Sequence, residues 1–408
     1  TDKEIDACAE RVIGLAEKSQ KADKTKKIEK TKAERHAAAV EIAKEGIVLL
    51  KNDDDILPLK AKKSGKILVS GTFANEPAAG GGGSAYVETD FKQEPLEKLI
   101  AEKLGKGAVV DFTKDVNYTG DGYNFGLGKA IEAAYSHDTV VVCVGTGRAV
   151  ETEGKDRTDI KLPFVQETAI LKIANATTNV IVVVYAGSAI DMSAWIDDVK
   201  AVVYAGFTGE AANEAVSDIL CGKTSPSGKL AETFPVALED TSVENDVGDG
   251  FVDWYQDGIF VGYRFYDTFG KDVLFPFGHG LSYTNFVYSD LKIEKTGECE
   301  CEVSYTVKNT GKIAAKEISQ VYVKDECSFV IRPEKELKGY SKDLIKPNEE
   351  KRVTIKLCPR SFAYYSVILK DWHVENGTFE ILVGASTRDI RLSGKIEINL
   401  PEETQFTR

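Results

Sequence analysis

The run Glu151–Pro163, ETEGKDRTDIKLP, gathers two glutamates, an aspartate and an arginine directly behind TVVVCVGTG, an apolar stretch that closes on glycines. Carboxyl groups placed there could do acid–base chemistry. A carboxyl held against an apolar wall has its pKa raised and can act as a general acid, a role worth about 10²–10⁴ in rate. Glu151 and Glu153 are two positions apart, so in an extended loop they point the same way and only one need act. Asp156 and Arg157 can pair and pin the loop. A solvated charge run has the same composition, and the residues alone leave these readings open.

A second stretch, AAGGGGSAYVE at 78–88, follows the first strand of the alternating region. Four consecutive glycines permit close backbone approach and positive φ. They suit a rim folding over a ligand, or a loose loop. CGKTS at 221–225 fails as a phosphate-binding loop: Ser217 stands where the first glycine is required, and the segment ends a helix instead of opening one. Gly222 reads as a helix C-cap. DVNYTGDGYN at 115–124 lacks the glutamate that closes a calcium loop. His36, His137, His279 and His373 have no metal-ligand spacing, so no metal and no cofactor is expected.

The elements that must position these loops follow from periodicity. Residues 4–18 carry Ile5, Cys8, Val12 and Leu15 at helical spacing. A Lys-rich polar stretch, KSQKADKTKKIEKTKAE, reads as an exposed linker, and ERHAAAVEIAKEGIVLLKN as a helix. From about residue 66 apolar strands alternate with helices: KILVSG, GAVVDF, TVVVCVG, NVIVVVYAG and KAVVYAG against EPLEKLIAEKLG, GLGKAIEAAYSH, PFVQETAILKIANA and GEAANEAVSDILCG. Strands apolar on both faces and separated by helices predict an α/β fold, a mostly parallel sheet sandwiched by helices. Ligands gather at the carboxyl ends of such strands, and the ETEGKDR loop lies at one. After about 285 the pattern becomes period two. In CEVSYTVK, Cys301, Val303, Tyr305 and Val307 face one way, which predicts an all-β sandwich of immunoglobulin or fibronectin type III kind.

Bulk properties exclude some functions. The 408 residues suffice for two or three domains, and the net charge of −13 argues against nucleic-acid and anionic-membrane partners. No apolar run approaches 18 residues, so no transmembrane helix is expected. Seven scattered cysteines without CxxC pairs read as reduced thiols, which suits a cytoplasmic protein. The first residue is Thr and no signal-peptide pattern follows it, so the chain reads as processed or as one piece of something longer.

These strings together resemble the C-terminal part of glycoside hydrolase family 3, the β-glucosidase and β-xylosidase family. EGIVLLKNDDDILPL, GGGGSAYV, ETEGKDRTDIKLPFVQ, SPSGKLAETFP, GIFVGYRFYD, LFPFGHGLSYTNF, IRPEKELKGY and WHVENGTFEILVGASTRDI carry the likeness, which covers residues 35 to 400. The resemblance implies an N-terminal helix and linker (1–34), an α/β sandwich (35–284), a fibronectin type III-like domain (285–400) and a tail (401–408). It implies that Glu153, the glutamate before GKDR, is the general acid/base, with Arg157 and Asp156 fixing the loop. Gly83, Ser84 and Tyr86 would border the +1 subsite. In the family a TIM barrel comes first and supplies an aspartate nucleophile. No barrel is present here, and VDW at 252–254 and KDW at 370–372 lie outside any barrel context. The resemblance therefore implies the C-terminal half of a retaining β-glycosidase, a β-glucosidase acting on β-glucosides or oligosaccharides with a barrel chain or fragment as partner. It leaves homo-oligomerisation and the −1 sugar open. Two other classes compete: a non-catalytic carbohydrate-binding or scaffolding protein, against which the retained ETEGKDR loop weighs, and a nucleotide-binding α/β protein, against which the missing G-x-G-x-x-G weighs.

Overall fold

A computed structural model describes residues 1–22, 30–114, 127–242, 252 and 255–401. The described chain falls into two compact units, Thr1–Ala38 and Ala39–Arg408. In the first unit, helix α1 (Asp2–Lys21) begins with Asp2 and Glu4 and ends with Lys18 and Lys21, charges that complement the helix dipole. None of its residues is buried. It extends into the stretch read as a linker; residues 23–29 of that stretch lie outside the described residues.

Helix α2 (Lys32–Gly46) stops well before the end of the helix expected through Asn52. Strand β1 (Val48–Asn52) replaces its last part. The physical reason is the run Ile47–Leu50: four consecutive large apolar residues, all buried, cannot share one face of an amphipathic helix.

The α/β part continues with β2 (Lys66–Ser70), α3 (Leu96–Leu104), β3 (Val109–Thr113), α4 (Leu127–Ala134), β4 (Thr139–Gly145), α5 (Gly147–Val150), α6 (Phe164–Ala176), β5 (Val180–Tyr185), β6 (Ala201–Tyr204) and α7 (Ala212–Leu220). The six strands form one sheet in the order β1-β6-β5-β4-β2-β3. All neighbours are parallel except β1, which pairs antiparallel with β6 at the edge. Every residue of β4 and of β5 is buried. The pleat sends alternate side chains to opposite faces. Val140, Val142 and Val144 meet Ala130 and Ala134 of α4 and Ile170 and Ile173 of α6. Val141 and Cys143 join the layer of Ile100 from α3 and Val216 and Ile219 from α7. Each such aliphatic chain contributes roughly 1.5–3 kcal/mol by leaving water. Helix α7 ends in a Schellman turn. Gly222, one position beyond the cap residue Cys221, has φ +64, and its N–H donates to the Ile219 carbonyl at 3.0 Å while the Lys223 N–H donates to the Asp218 carbonyl at 2.9 Å. CGKTS is thus a helix stop.

The remaining elements are β7 (Phe234–Pro235), α8 (Tyr263–Thr268), β8 (Val273–Phe275), β9 (Phe286–Gly297), β10 (Glu300–Asn309), β11 (Ala315–Asp325), β12 (Glu336–Ile345), β13 (Glu350–Leu357), β14 (Tyr364–Ser366), β15 (Asp371–His373), β16 (Gly377–Ser386) and β17 (Asp389–Ile398). A three-stranded sheet β13-β10-β9 faces a four-stranded sheet β12-β11-β16-β17, all antiparallel. Cys301, Val303, Tyr305 and Val307 point inward as the alternation requires. Asp371 and Trp372 of KDW stand in the β14–β15 hairpin; Asp253 and Trp254 of VDW, the DVNYTGDGYN turn and the tail beyond residue 401 lie outside the described residues.

The α/β part and the β-sandwich are joined by polar contacts. The Glu45 carboxylate pairs with Lys316 and Lys342. The Gln320 amide donates to the Gly278 carbonyl at 3.2 Å and the Ala385 carbonyl at 2.8 Å. Asp267 accepts from Arg388 at 3.1 Å. No helix among the described residues is long and apolar enough to cross a membrane.

Candidate active site

The sheet order turns around between β2 and β4: β3 lies on one side of β2 and β4 on the other. Loops leaving the carboxyl ends of two such strands diverge and open a crevice, the usual ligand position in open α/β sheets. The glycine-rich stretch leaves β2 there and the ETEGKDR loop leaves β4.

The two loops are fitted together at backbone distance. The Gly82 N–H donates to the Glu151 carbonyl at 2.8 Å, and Gly82 and Thr152 form an isolated parallel bridge. Gly83 has φ +69. A Cβ on Gly83 would lie 2.5 Å from the Glu153 Cβ and 3.0 Å from Oε2. The Ser84 N–H donates to Glu153 Oε2 at 2.8 Å. Gly83, Ser84 and Glu153 are therefore brought together. Tyr86 is half-exposed and lies against the Arg148 guanidinium of α5, 4.1 Å from its ring centroid, so it touches the segment leading into the acidic loop.

Glu151 and Glu153 do not point the same way, because the loop is pinned between them and not extended. The Glu151 carboxylate turns inward. It accepts from the Thr146 hydroxyl and from the Gly187 N–H, at 3.1 Å to Oε1 and 2.9 Å to Oε2. Gly187 leaves room for that carboxylate: a Cβ there would lie 2.3 Å from Glu151 Oε2 and 2.7 Å from Phe207. Arg157 turns inward as well. Its Nη1 donates to Ser188 Oγ at 2.7 Å and stands 3.8 Å from Glu151 Oε1. The expected Asp156–Arg157 pair is absent among the described residues; Asp156 is exposed, and Arg157 serves the half-buried Glu151 because a buried carboxylate needs a counter-charge.

Glu153 is exposed, and hydrogen bonds from the Ser84 hydroxyl and the Ser84 backbone N–H hold its carboxyl below the ordinary glutamate range. The raised pKa expected from an apolar wall is not met in this chain, because the carboxylate sees donors and water instead. Arg148, Thr146, Gly187 and Ser188 were not among the residues singled out from sequence. Gly187 and Ser188 had one usable signal, their place at the carboxyl end of VIVVVY.

Among the described residues no group of three or more metal-ligating side chains converges. Their cysteines are free thiols, with Cys143, Cys299 and Cys301 buried.

The sequence and fold match known proteins. The model of the glycosyl hydrolase family 3 C-terminal domain matches residues 47–283, and that of the fibronectin type III-like domain matches 317–387. Thermostable beta-glucosidase B of Acetivibrio thermocellus is 45% identical over 369 residues, covering 89% of this chain and 48% of its own length. An exo-alpha-(1->6)-L-arabinopyranosidase of Bifidobacterium breve is 37% identical, covering 99% of this chain and 54% of its own. The crystal structure of the Bifidobacterium adolescentis GH3 beta-glucosidase superposes with a TM-score of 0.87 at 34% identity, covering 96% of this chain and 58% of that one. The chain spans about half the length of the curated relatives it matches. It belongs to glycosyl hydrolase family 3, carrying that family's C-terminal domain followed by the fibronectin type III-like domain.

Proposed function

We propose that this chain is the C-terminal half of a retaining β-glycosidase, a β-glucosidase releasing terminal non-reducing β-D-glucosyl residues, and that Glu153 is its general acid/base. A TIM barrel, on a second chain or a cleaved fragment, supplies the aspartate that attacks the anomeric carbon. Glu153 protonates the leaving oxygen and then deprotonates the water that releases the sugar. A retaining pair works with its carboxyls about 5–5.5 Å apart. Gly83, Ser84 and Tyr86 border the +1 subsite, and Arg157 holds the loop through Glu151.

The observation that carries this reading is the contact of Glu153 with the glycine-rich loop, 2.8 Å from the Ser84 N–H at the mouth of the β2–β4 crevice. Glu151 is turned inward and engaged by Thr146 and Gly187, whereas Glu153 is exposed at the loop surface. A carboxylate exposed and held by Ser84 is ionised at neutral pH. It becomes an acid when substrate and barrel displace water around it and raise its pKa.

The test is to join this chain with a family 3 barrel half, check by native mass spectrometry that they travel together, and measure glucose release from an aryl β-glucoside. Turnover by the pair and none by this chain alone is the expected result. A pair that forms and stays inactive on every glycoside offered would favour a carbohydrate-binding or scaffolding protein. The arabinopyranosidase relative favours including aryl α-L-arabinopyranosides among the substrates.

A further inference from the structure

Far along the sequence from the acidic loop, the segment around Gly258–Arg264, the stretch Val330–Lys338 and the β14–β15 hairpin enclose a cleft of about 920 Å³. That volume is in the range of small-molecule sites, which measure about 300–1,000 Å³. Its apolar wall is exposed to an unusual degree: Ile259 is 54% exposed, Ile331 79%, Val367 78% and Ile368 89%. Contiguous exposed apolar surface of this kind marks a binding site.

The charge of the lining runs against that of the molecule. The chain carries −13, yet Arg264, Arg332, Lys338 and Arg360 line the cleft with Glu336 as the sole carboxylate among the described lining residues. Glu336 is shared by Arg264 at 3.3 Å, Lys338 at 3.1 Å and Arg332 at 3.5 Å. Arg332 is also held by Asp325 at 2.9 Å. Arg360 pairs with no carboxylate among the described residues; its guanidinium lies over the Trp372 ring. Burial lowers the Lys338 ammonium's pKa despite Glu336.

The aromatic geometry narrows the ligand. Tyr365 meets Trp372 edge-on, at 68° and 5.6 Å, and Arg360 covers a Trp372 face. The Trp372 face that a neutral pyranose would stack on is taken by the Arg360 guanidinium. What is offered is an apolar slot ending at a cation fixed on an aromatic ring. We propose that this cleft is a binding site for a small aromatic carboxylate, its ring among Ile259, Val330 and Val367 and its carboxylate on Arg360.

The test is a ligand-observed NMR titration of the full chain with 4-hydroxycinnamate, its neutral amide and cellobiose. The expected result is saturable binding of the carboxylate with a dissociation constant on the order of 1 mM or tighter. The amide should bind markedly less, and Arg360→Gln, an exposed position that leaves the core intact, should weaken the acid about tenfold. Glu153→Gln should change nothing. Equal binding of acid and amide, displacement of the probe by cellobiose, no effect of Arg360→Gln, or loss of binding once the barrel half is attached would each overturn the proposal, the last by showing that the cleft is a partner interface.

Discussion

Glu151 and Glu153 carry the same side chain two positions apart, and their surroundings are opposite. Glu151 is half-buried and tied to Thr146, Gly187 and Arg157; Glu153 is exposed and touches the Ser84 N–H. Removing Glu151 strands a buried guanidinium and a backbone donor, which costs about 1–3 kcal/mol for an unsatisfied group. Glu151→Ala should therefore lower the thermal midpoint of the chain by several degrees, whereas Glu153→Ala should leave it within about a degree, as calorimetry of the two variants would show. An unchanged midpoint in Glu151→Ala would remove its anchoring role. The sequence placed both glutamates in one acidic loop but could not assign their partners. Gly187 donates its N–H to Glu151 across 36 positions of chain, and no local pattern encodes a partner that distant. Arg157 drew the nearer Asp156 as its expected partner for the same reason.

At the scale of elements, the site depends on two loops leaving adjacent parallel strands. Gly83 is where they touch. Any side chain there meets Glu153, and φ +69 is strained for an L-residue besides. Gly83→Ala should push the Glu153 carboxylate off the Ser84 N–H. Since the Ser84 hydroxyl, together with that N–H, holds the carboxyl's pKa down, loss of the contact with Ser84 should raise the Glu153 pKa toward the ordinary glutamate value, which carboxyl-carbon NMR can follow. A titration superimposable on the wild type would sink the coupling between the loops. Strand and helix alternation was legible because β4 and β5 are apolar throughout. The strand order was not, since periodicity says which face is buried and not which strand is neighbour. The Ile47–Leu50 run misled for a related reason: a short apolar stretch suits a buried helix end or a buried strand, and its antiparallel pairing with β6 decides.

On the scale of the whole molecule, the α/β part and the β-sandwich are tied by buried polar groups near His279. Its Nε2 donates to the Leu50 carbonyl at 2.9 Å with the ring neutral, and burial, ahead of the neighbouring Lys229 charge, lowers its pKa below the usual 6.5. The sign follows: below about pH 6.5 the unfolded chain binds a proton that the folded chain does not. Its contribution is present above that pH and is lost as pH falls toward the folded-state value. Denaturant midpoints should drop as pH falls below 6.5, and His279→Gln should flatten that slope; equal slopes in both proteins would refute the assignment. Domain order and the all-β character of the second half were legible from the switch to period-two alternation. The joint between the halves was not, because Glu45 meets Lys316 and Lys342 only once the chain is folded.

The most direct test of Glu153 as general acid/base is the leaving-group dependence of Glu153→Gln in the chain joined to its barrel. Turnover of a glycoside with a poor alkyl leaving group should fall about 10²–10⁴-fold, while formation of the glycosyl-enzyme from an activated aryl glycoside should fall far less. If Glu151→Gln gives that pattern and Glu153→Gln does not, or if Glu153→Gln slows both substrates equally in the first step, the central claim fails.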